Sequence, residues 1–126
     1  MKIEGACHCG EIRYEAEVDP EKVALCNCTD CQTLSGSAFR VNVFVDESNL
    51  RFLSGDPVEY VKTGESGNQR AQAFCGVCGT GLYATSAGEG PRVYGLRVGT
   101  SSQRDQLVPK GQAWLRSRLD WLSALD

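Results

Sequence analysis

Seven cysteines in a chain of 126 residues fall into three groups, Cys7-x-Cys9, Cys26-x-Cys28-x2-Cys31 and Cys75-x2-Cys78. Thiols at such spacings either pair as disulfides or hold a metal. An odd number leaves at least one thiol unpaired under any connectivity. The opening MKIEGACHCG has no apolar stretch of the secretory kind, so a reducing, cytoplasmic setting is expected and metal is the better explanation.

The segment CGVCGT, residues 75 to 80, reads as a zinc knuckle. Gly76 and Gly79 permit a tight turn whose N–H groups point at metal-bound sulfur. Such a knuckle supplies two ligands, and Cys7 and Cys9 are the natural complement. In an extended segment, side chains at i and i+2 share a face, so both thiolates reach one ion while His8 points away. The expected four-cysteine site, Cys7, Cys9, Cys75 and Cys78, would clamp a long loop and contribute directly to folding.

Cys26, Cys28 and Cys31 then remain. Three protein ligands with one open position is the arrangement associated with catalytic zinc. The alternatives are a fourth ligand from Asp30, His8 or another chain, or three reduced thiols without metal. Three thiolates around a dication leave the site anionic, so the metal acidifies water poorly and prefers a soft ligand. A substrate thiol can bind there as thiolate, stay nucleophilic at neutral pH and add to a carbonyl held beside it. Asp30, between two of these cysteines, suits capping or hydrogen bonding better than ligation.

Short runs of strand type must position these groups: EIRYEAEV, FRVNVFV, LRFL, VEYVKT, QRAQAF and RVYGLRV. Between them lie turn segments, DPEK, SGDP, TGESGN and GEGP, and GESGN is expected to close a hairpin. The pattern is mainly β and antiparallel, on one domain spanning residues 1–126. A short helical turn is expected in TDCQTLSG, capped by Thr29 or Asp30 and ended by Gly36, with its N–H groups favouring thiolates at Cys28 and Cys31. AWLRSRLDWLSALD is either one amphipathic helix or a strand followed by a helical turn.

GACHCGEIRY, CNCTDCQTLSGSAF and FCGVCGTGLY together resemble the glutathione-dependent formaldehyde-activating enzyme family, also called S-(hydroxymethyl)glutathione synthase-like, to which centromere protein V is related. The likeness runs from Gly5 to about Trp121. It implies a β-tent fold shared with Rab-binding zinc chaperones. It also implies two zinc ions per chain: a structural one on Cys7, Cys9, Cys75 and Cys78, and a catalytic one on Cys26, Cys28 and Cys31. The implied reaction is addition of glutathione to formaldehyde, a carbon–sulfur lyase run in reverse, with a small thiol and an aldehyde as partners. Gln112 and Ala113 stand where the family often has His and Ile, and the resemblance favours a short strand near Ala113 to Arg116.

Other residues invite both a functional and a plain structural reading. Ser35, Ser37 and Phe39 either line a pocket beside the central cysteines or form a turn. Arg40, Lys62, Arg70 and Arg97 offer donors to glutathione carboxylates, although each alone reads as a solvated strand residue. Trp114 and Trp121 are expected in the core, with ligand stacking the lesser reading. Tyr83 and Tyr94 are expected on a strand face or in the core, with a general-acid role as the alternative.

Thirteen basic against sixteen acidic residues give a formal charge of -3 without a basic run, which opposes a nucleic-acid partner. No apolar stretch is long enough to span a bilayer as a helix. GEGPRVYG and GTGLY lack a phosphate-loop lysine or dinucleotide spacing and read as turns. The competing function class is a zinc-stabilised interaction or carrier module without catalysis.

Overall fold

The computed structural model describes residues 1–64 and 66–125. The strands are Lys2–Ala6 (β1), Arg13–Glu17 (β2), Val23–Cys26 (β3), Arg40–Asp46 (β4), Leu50–Ser54 (β5), Val58–Thr63 (β6), Gln69–Phe74 (β7), Gly81–Ser86 (β8), Val93–Arg97 (β9) and Gly111–Ala113 (β10). Among the described residues, one α-helix, Thr29–Ser35 (α1), joins β3 to β4, and the other helical segments are short 3-10 turns. The fold is mainly β. Three strands form one sheet in the order β1-β2-β5, and seven form another in the order β10-β3-β4-β9-β8-β7-β6.

Most pairings are the expected antiparallel ones, but β10 runs parallel to β3, with Ala113 beside Cys26. A parallel neighbour cannot come from a hairpin, so β10 returns from across the molecule after β9. The strand expected near Ala113 to Arg116 therefore lies earlier, at Gly111–Ala113. It stops because Trp114 adopts a left-handed backbone, φ 58 and ψ 48, from which a 3-10 turn, Leu115–Ser117, departs. A further 3-10 turn, Asp120–Ala124, takes the place of a long terminal helix.

The GESGN turn does join two antiparallel strands, β6 and β7, with Gly64 donating to the Asn68 carbonyl at 2.8 Å. Its Glu65 lies outside the described residues. No helix among the described residues is long and apolar enough to cross a membrane.

Alternation decides which face each strand buries. From the small sheet Ile3, Tyr14 and Ala16 turn inward, and from the large sheet Val43, Val45, Ala73, Tyr83 and Leu96 join them in one apolar cluster. The intervening residues of the large sheet project to its other face, where the central cysteines lie. Neither tryptophan joins the core: Trp114 and Trp121 are 46% and 53% exposed, because the C-terminal turns run over the surface.

Gly5 sits where the two sheets meet. It pairs with Tyr14 and bridges to Ser101. A Cβ there would overlap the Tyr14 ring and stand 2.6 Å from the Thr100 carbonyl oxygen. Because one obstacle is backbone, relief requires strand movement. Gly5→Ala is expected to destabilise the fold by roughly 1–3 kcal/mol, read from denaturant unfolding midpoints. An unchanged midpoint would mean that the sheets can slide apart freely.

Candidate metal centres and the adjoining cavity

The structure gathers the cysteines into two groups. Cys7, Cys9, Cys75 and Cys78 place their sulfurs within 4.8 Å of one another, and so do Cys26, Cys28 and Cys31. In the first group Cys7 and Cys9 are 3.6 Å apart and Cys9 and Cys75 3.8 Å. A tetrahedral ion with metal–sulfur bonds of about 2.3 Å has an edge of about 3.8 Å, far from the roughly 2 Å of a disulfide. The donor set therefore fits a metal of zinc type.

The local chain explains this convergence differently from an extended segment. Residues 7 to 10 make a turn, with Gly10 donating to the Cys7 carbonyl at 3.1 Å and holding φ +83. Sulfurs meet across a turn rather than along a strand. Opposite, the knuckle behaves as its glycines suggest: Gly79, at φ +81, donates to the Cys75 carbonyl, while Val77 and Cys78 N–H point at Cys75 Sγ at 3.4 and 3.5 Å. Ile12 N–H adds a bond to Cys7 Sγ at 3.3 Å. Thr80 links the halves, since its hydroxyl accepts from His8 N–H and lies 3.2 Å from Cys78 Sγ. That hydroxyl contact leads the influences that lower the Cys78 thiol to about 5.

The second group is built on the end of β3 and the start of α1. Cys28, rather than Thr29 or Asp30, caps the helix: its Sγ accepts from Cys31 N–H at 3.2 Å, a sulfur doing what a capping oxygen usually does. Gly36 ends the helix in the left-handed conformation, as expected. Asn27, wholly buried, pins the cluster. Its amide nitrogen donates to Gln112 Oε1 and the Ala113 carbonyl, and its own carbonyl accepts from Gln32, which also reaches the Ser117 carbonyl. Gln112 thus faces Asn27, not the sulfurs.

A cavity of about 310 Å³ opens beside Cys26, Cys28 and Cys31. Its floor is the outer face of the large sheet, and strand register dictates the lining. Cys26 pairs with Arg40, Ala24 with Asn42, Asn42 with Arg97, Gln72 with Ala84 and Lys62 with Arg70. These alternate positions share one face. Small residues, Ala24 and Ala84, make the hollow, and Gly95 beside Phe44 and Asn42 deepens the sheet surface there. Trp114 forms a wall in its strained backbone, a state that costs of order 1–3 kcal/mol and is held by the bonds to Ala113 and Ser117 around it.

Among the described residues, four cationic side chains line this cavity, Arg40, Lys62, Arg70 and Arg97, against one acid, Asp30, which pairs with Lys62. Arg40 Nη2 donates to Cys31 Sγ at 3.2 Å. Three thiolates, a dication and one guanidinium sum to zero, so Arg40 offsets the anionic character that three sulfurs would otherwise give. Arg97 is not a solvated strand residue: it is 8% exposed, and donates to Asn42 Oδ1 at 2.6 Å and Gln72 Oε1 at 2.7 Å. Burial pushes it down to about 9, still cationic at neutral pH.

Other candidates fall elsewhere. Tyr83 and Tyr94 pack edge to face at 4.8 Å in or against the core, and Tyr83 donates to Glu59, so neither serves the cysteines as an acid. Ser35 and Phe39 line a neighbouring hollow shared with Arg40 and Arg97, and Ser37 is exposed. Asn27 and Gln32 escaped the sequence reading because their partners lie some 85 residues away.

Fold and site together define a small β-rich protein with two cysteine groups that can each hold a metal ion. Residues 2–117 match the family of the glutathione-dependent formaldehyde-activating enzyme, and the chain belongs to that family. A crystal structure of a Rhodobacter sphaeroides protein, solved by structural genomics, aligns with a TM-score of 0.65 over 87% of this chain and 99% of that one. At 21% identity this likeness is one of fold.

Ionisation within the second group is uneven. Burial, reinforced by the neighbouring thiols, pushes Cys26 up to about 12. Burial also pushes Cys31 up, but hydrogen bonds from Cys28 and Arg40 and the charge of Arg40 outweigh it and hold Cys31 below the ordinary thiol value. Because a lowered pKa keeps the thiolate to lower pH, Arg40→Met is expected to move Cys31 alkylation to higher pH. Mass spectrometry after mild chelation and timed iodoacetamide treatment reads this; an unmoved profile would remove Arg40 as the cause.

Proposed function

We propose that the chain acts as a single unit over residues 1–126, with structural zinc on Cys7, Cys9, Cys75 and Cys78 and catalytic zinc on Cys26, Cys28 and Cys31. It would be a carbon–sulfur lyase of the S-(hydroxymethyl)glutathione synthase type, adding glutathione or a similar thiol to formaldehyde or another small aldehyde, or reversing that addition. One observation carries this reading: three convergent sulfurs, with no fourth Cys, His, Asp or Glu ligand atom in their group among the described residues, stand at the wall of a cation-lined cavity. Membership of the family supports the same chemistry.

When bound, zinc supplies an open position at which a thiol is held as a nucleophilic thiolate at neutral pH. The chain's own residues set the conditions. Arg40 lowers the negative charge that would repel an incoming thiolate, Lys62 and Arg70 offer donors to a thiol's carboxylates, and Trp114 narrows the solvent side of the cavity. Reduced cysteines and a reduced thiol substrate suit the cytoplasm.

A second reading is a carrier that binds the adduct without accelerating its formation. It is favoured by the positions of Tyr83 and Tyr94 away from the cavity and by Gln112 bonding to Asn27 where the family often has His. Elemental mass spectrometry is expected to find about two zinc ions per chain, and about one in folded Cys28→Ala/Cys31→Ala protein. In cobalt-loaded protein, glutathione should shift the visible bands of the second site. Acceleration over the free reaction supports the lyase; saturable binding without it supports the carrier. An unchanged cobalt spectrum would favour a non-catalytic binding module.

A further inference from the structure

We propose that Arg40 and Arg97 form a carboxylate pocket beside Cys26, Cys28 and Cys31, and that the carbonyl compound used there is a small oxo acid rather than an uncharged aldehyde. This rests on the thiol-addition reading above.

A guanidinium as deeply buried as that of Arg97 normally faces a carboxylate. Here its Nη groups meet only the neutral carbonyls of Asn42 and Gln72, and no carboxylate pairs with it among the described residues. Its Nε–H is buried with no acceptor, and so is the Nε–H of Arg40, whose Nη2 touches Cys31 Sγ. Both side chains line the cavity that holds the three cysteines. Two adjacent guanidiniums in the wall of one cavity, neither paired with a carboxylate among the described residues, suit an anion entering that cavity, and a carboxylate is one. Formaldehyde carries no charge to offset theirs.

Position indicates which carboxylate. Arg40 is in contact with one of the three sulfurs, so its anion must sit close to the new carbon–sulfur bond. In a 2-oxo acid such as glyoxylate the carboxylate is bonded directly to the carbonyl carbon. In glutathione the carboxylates are at the far ends of the glycyl and γ-glutamyl arms, in reach of Lys62 and Arg70 on the β6–β7 part of the lining. The reaction keeps its balance: sulfur attacks the carbonyl carbon, the π pair moves to oxygen, and that oxygen takes the proton the thiol released. The carboxylate is unchanged, and nothing is oxidised or reduced.

The test uses the metal-loaded 126-residue chain. Calorimetry with oxamate, an unreactive planar analogue of glyoxylate, is expected to show one site per chain, with no binding of uncharged acetamide. Arg97→Gln should weaken oxamate by about ten-fold or more. In turnover, kcat/KM should favour glyoxylate over formaldehyde with either glutathione or cysteamine as thiol, and Arg97→Gln should erase that preference. If oxamate does not bind while glutathione and formaldehyde still react, the pocket is overturned. If Arg97→Gln instead penalises glutathione relative to cysteamine, whichever carbonyl is used, the carboxylate belongs to the thiol and the proposal fails. Oxamate binding without any thiol-dependent turnover would leave the pocket and overturn the thiol-addition reading. Should Arg97→Gln not fold, Arg97→Lys keeps the charge but loses the fork, and unchanged oxamate affinity in it would count against the pocket.

Discussion

The convergence of four sulfurs from a β1–β2 turn and a β7–β8 knuckle is the constraint on which the molecule depends. The two turns belong to different sheets. Apolar packing holds those sheets together over Ile3, Tyr14, Val43 and Leu96, but such packing is non-directional and leaves their relative position loosely specified. A metal ion held by sulfurs at this tetrahedral edge length would fix it, and the N–H bonds to Cys7 and Cys75 hold each half in shape. The isolated bridge of Gly5 to Ser101 works at the same seam.

With one face of the large sheet committed to the core, its other face is left to build the cavity. Period-two alternation then places Arg40 and Asn42 on β4, Arg70 and Gln72 on β7 and Arg97 on β9 side by side. The resulting surface is cationic at the very place where Cys31 is favoured as a thiolate and where three thiolates would gather around a bound metal. Each of these features would be unfavourable alone. A cluster of thiolates repels itself, and a buried guanidinium without a partner is costly. Placed together, Arg40 and Cys31 relieve part of both, while Arg97 lies in the same cavity wall with only neutral partners, Asn42 and Gln72.

The tail closes the arrangement. β10 returns to lie parallel to β3, which sets Ala113 beside Cys26 and forces Trp114 into a backbone that a bulky residue rarely adopts. Asn27 and Gln32 bond this segment to the cysteine loop from both sides. The position of the aromatic wall is therefore coupled to the position of the sulfurs, and a change in one is transmitted to the other through buried hydrogen bonds.

Much of this was legible before folding. Spacing separated the thiols into a knuckle, its complement and a remainder, because two ligands carried on one turn must lie only a few residues apart. Strand-type runs in FRVNVFV, VEYVKT and QRAQAF marked β4, β6 and β7, although burial does not simply alternate along them: β6 is exposed almost throughout and β7 buries consecutive residues. What the chain alone could not disclose is everything that depends on long-range pairing: Arg97 buried rather than solvated, Tyr83 and Tyr94 turned away from the cysteines, Trp114 brought to them, and Asn27 as their anchor. Local sequence determined the chemistry available and the period of each strand. Only the tertiary structure decided which faces met, because register and the parallel return of β10 are set by contacts between residues far apart in the chain.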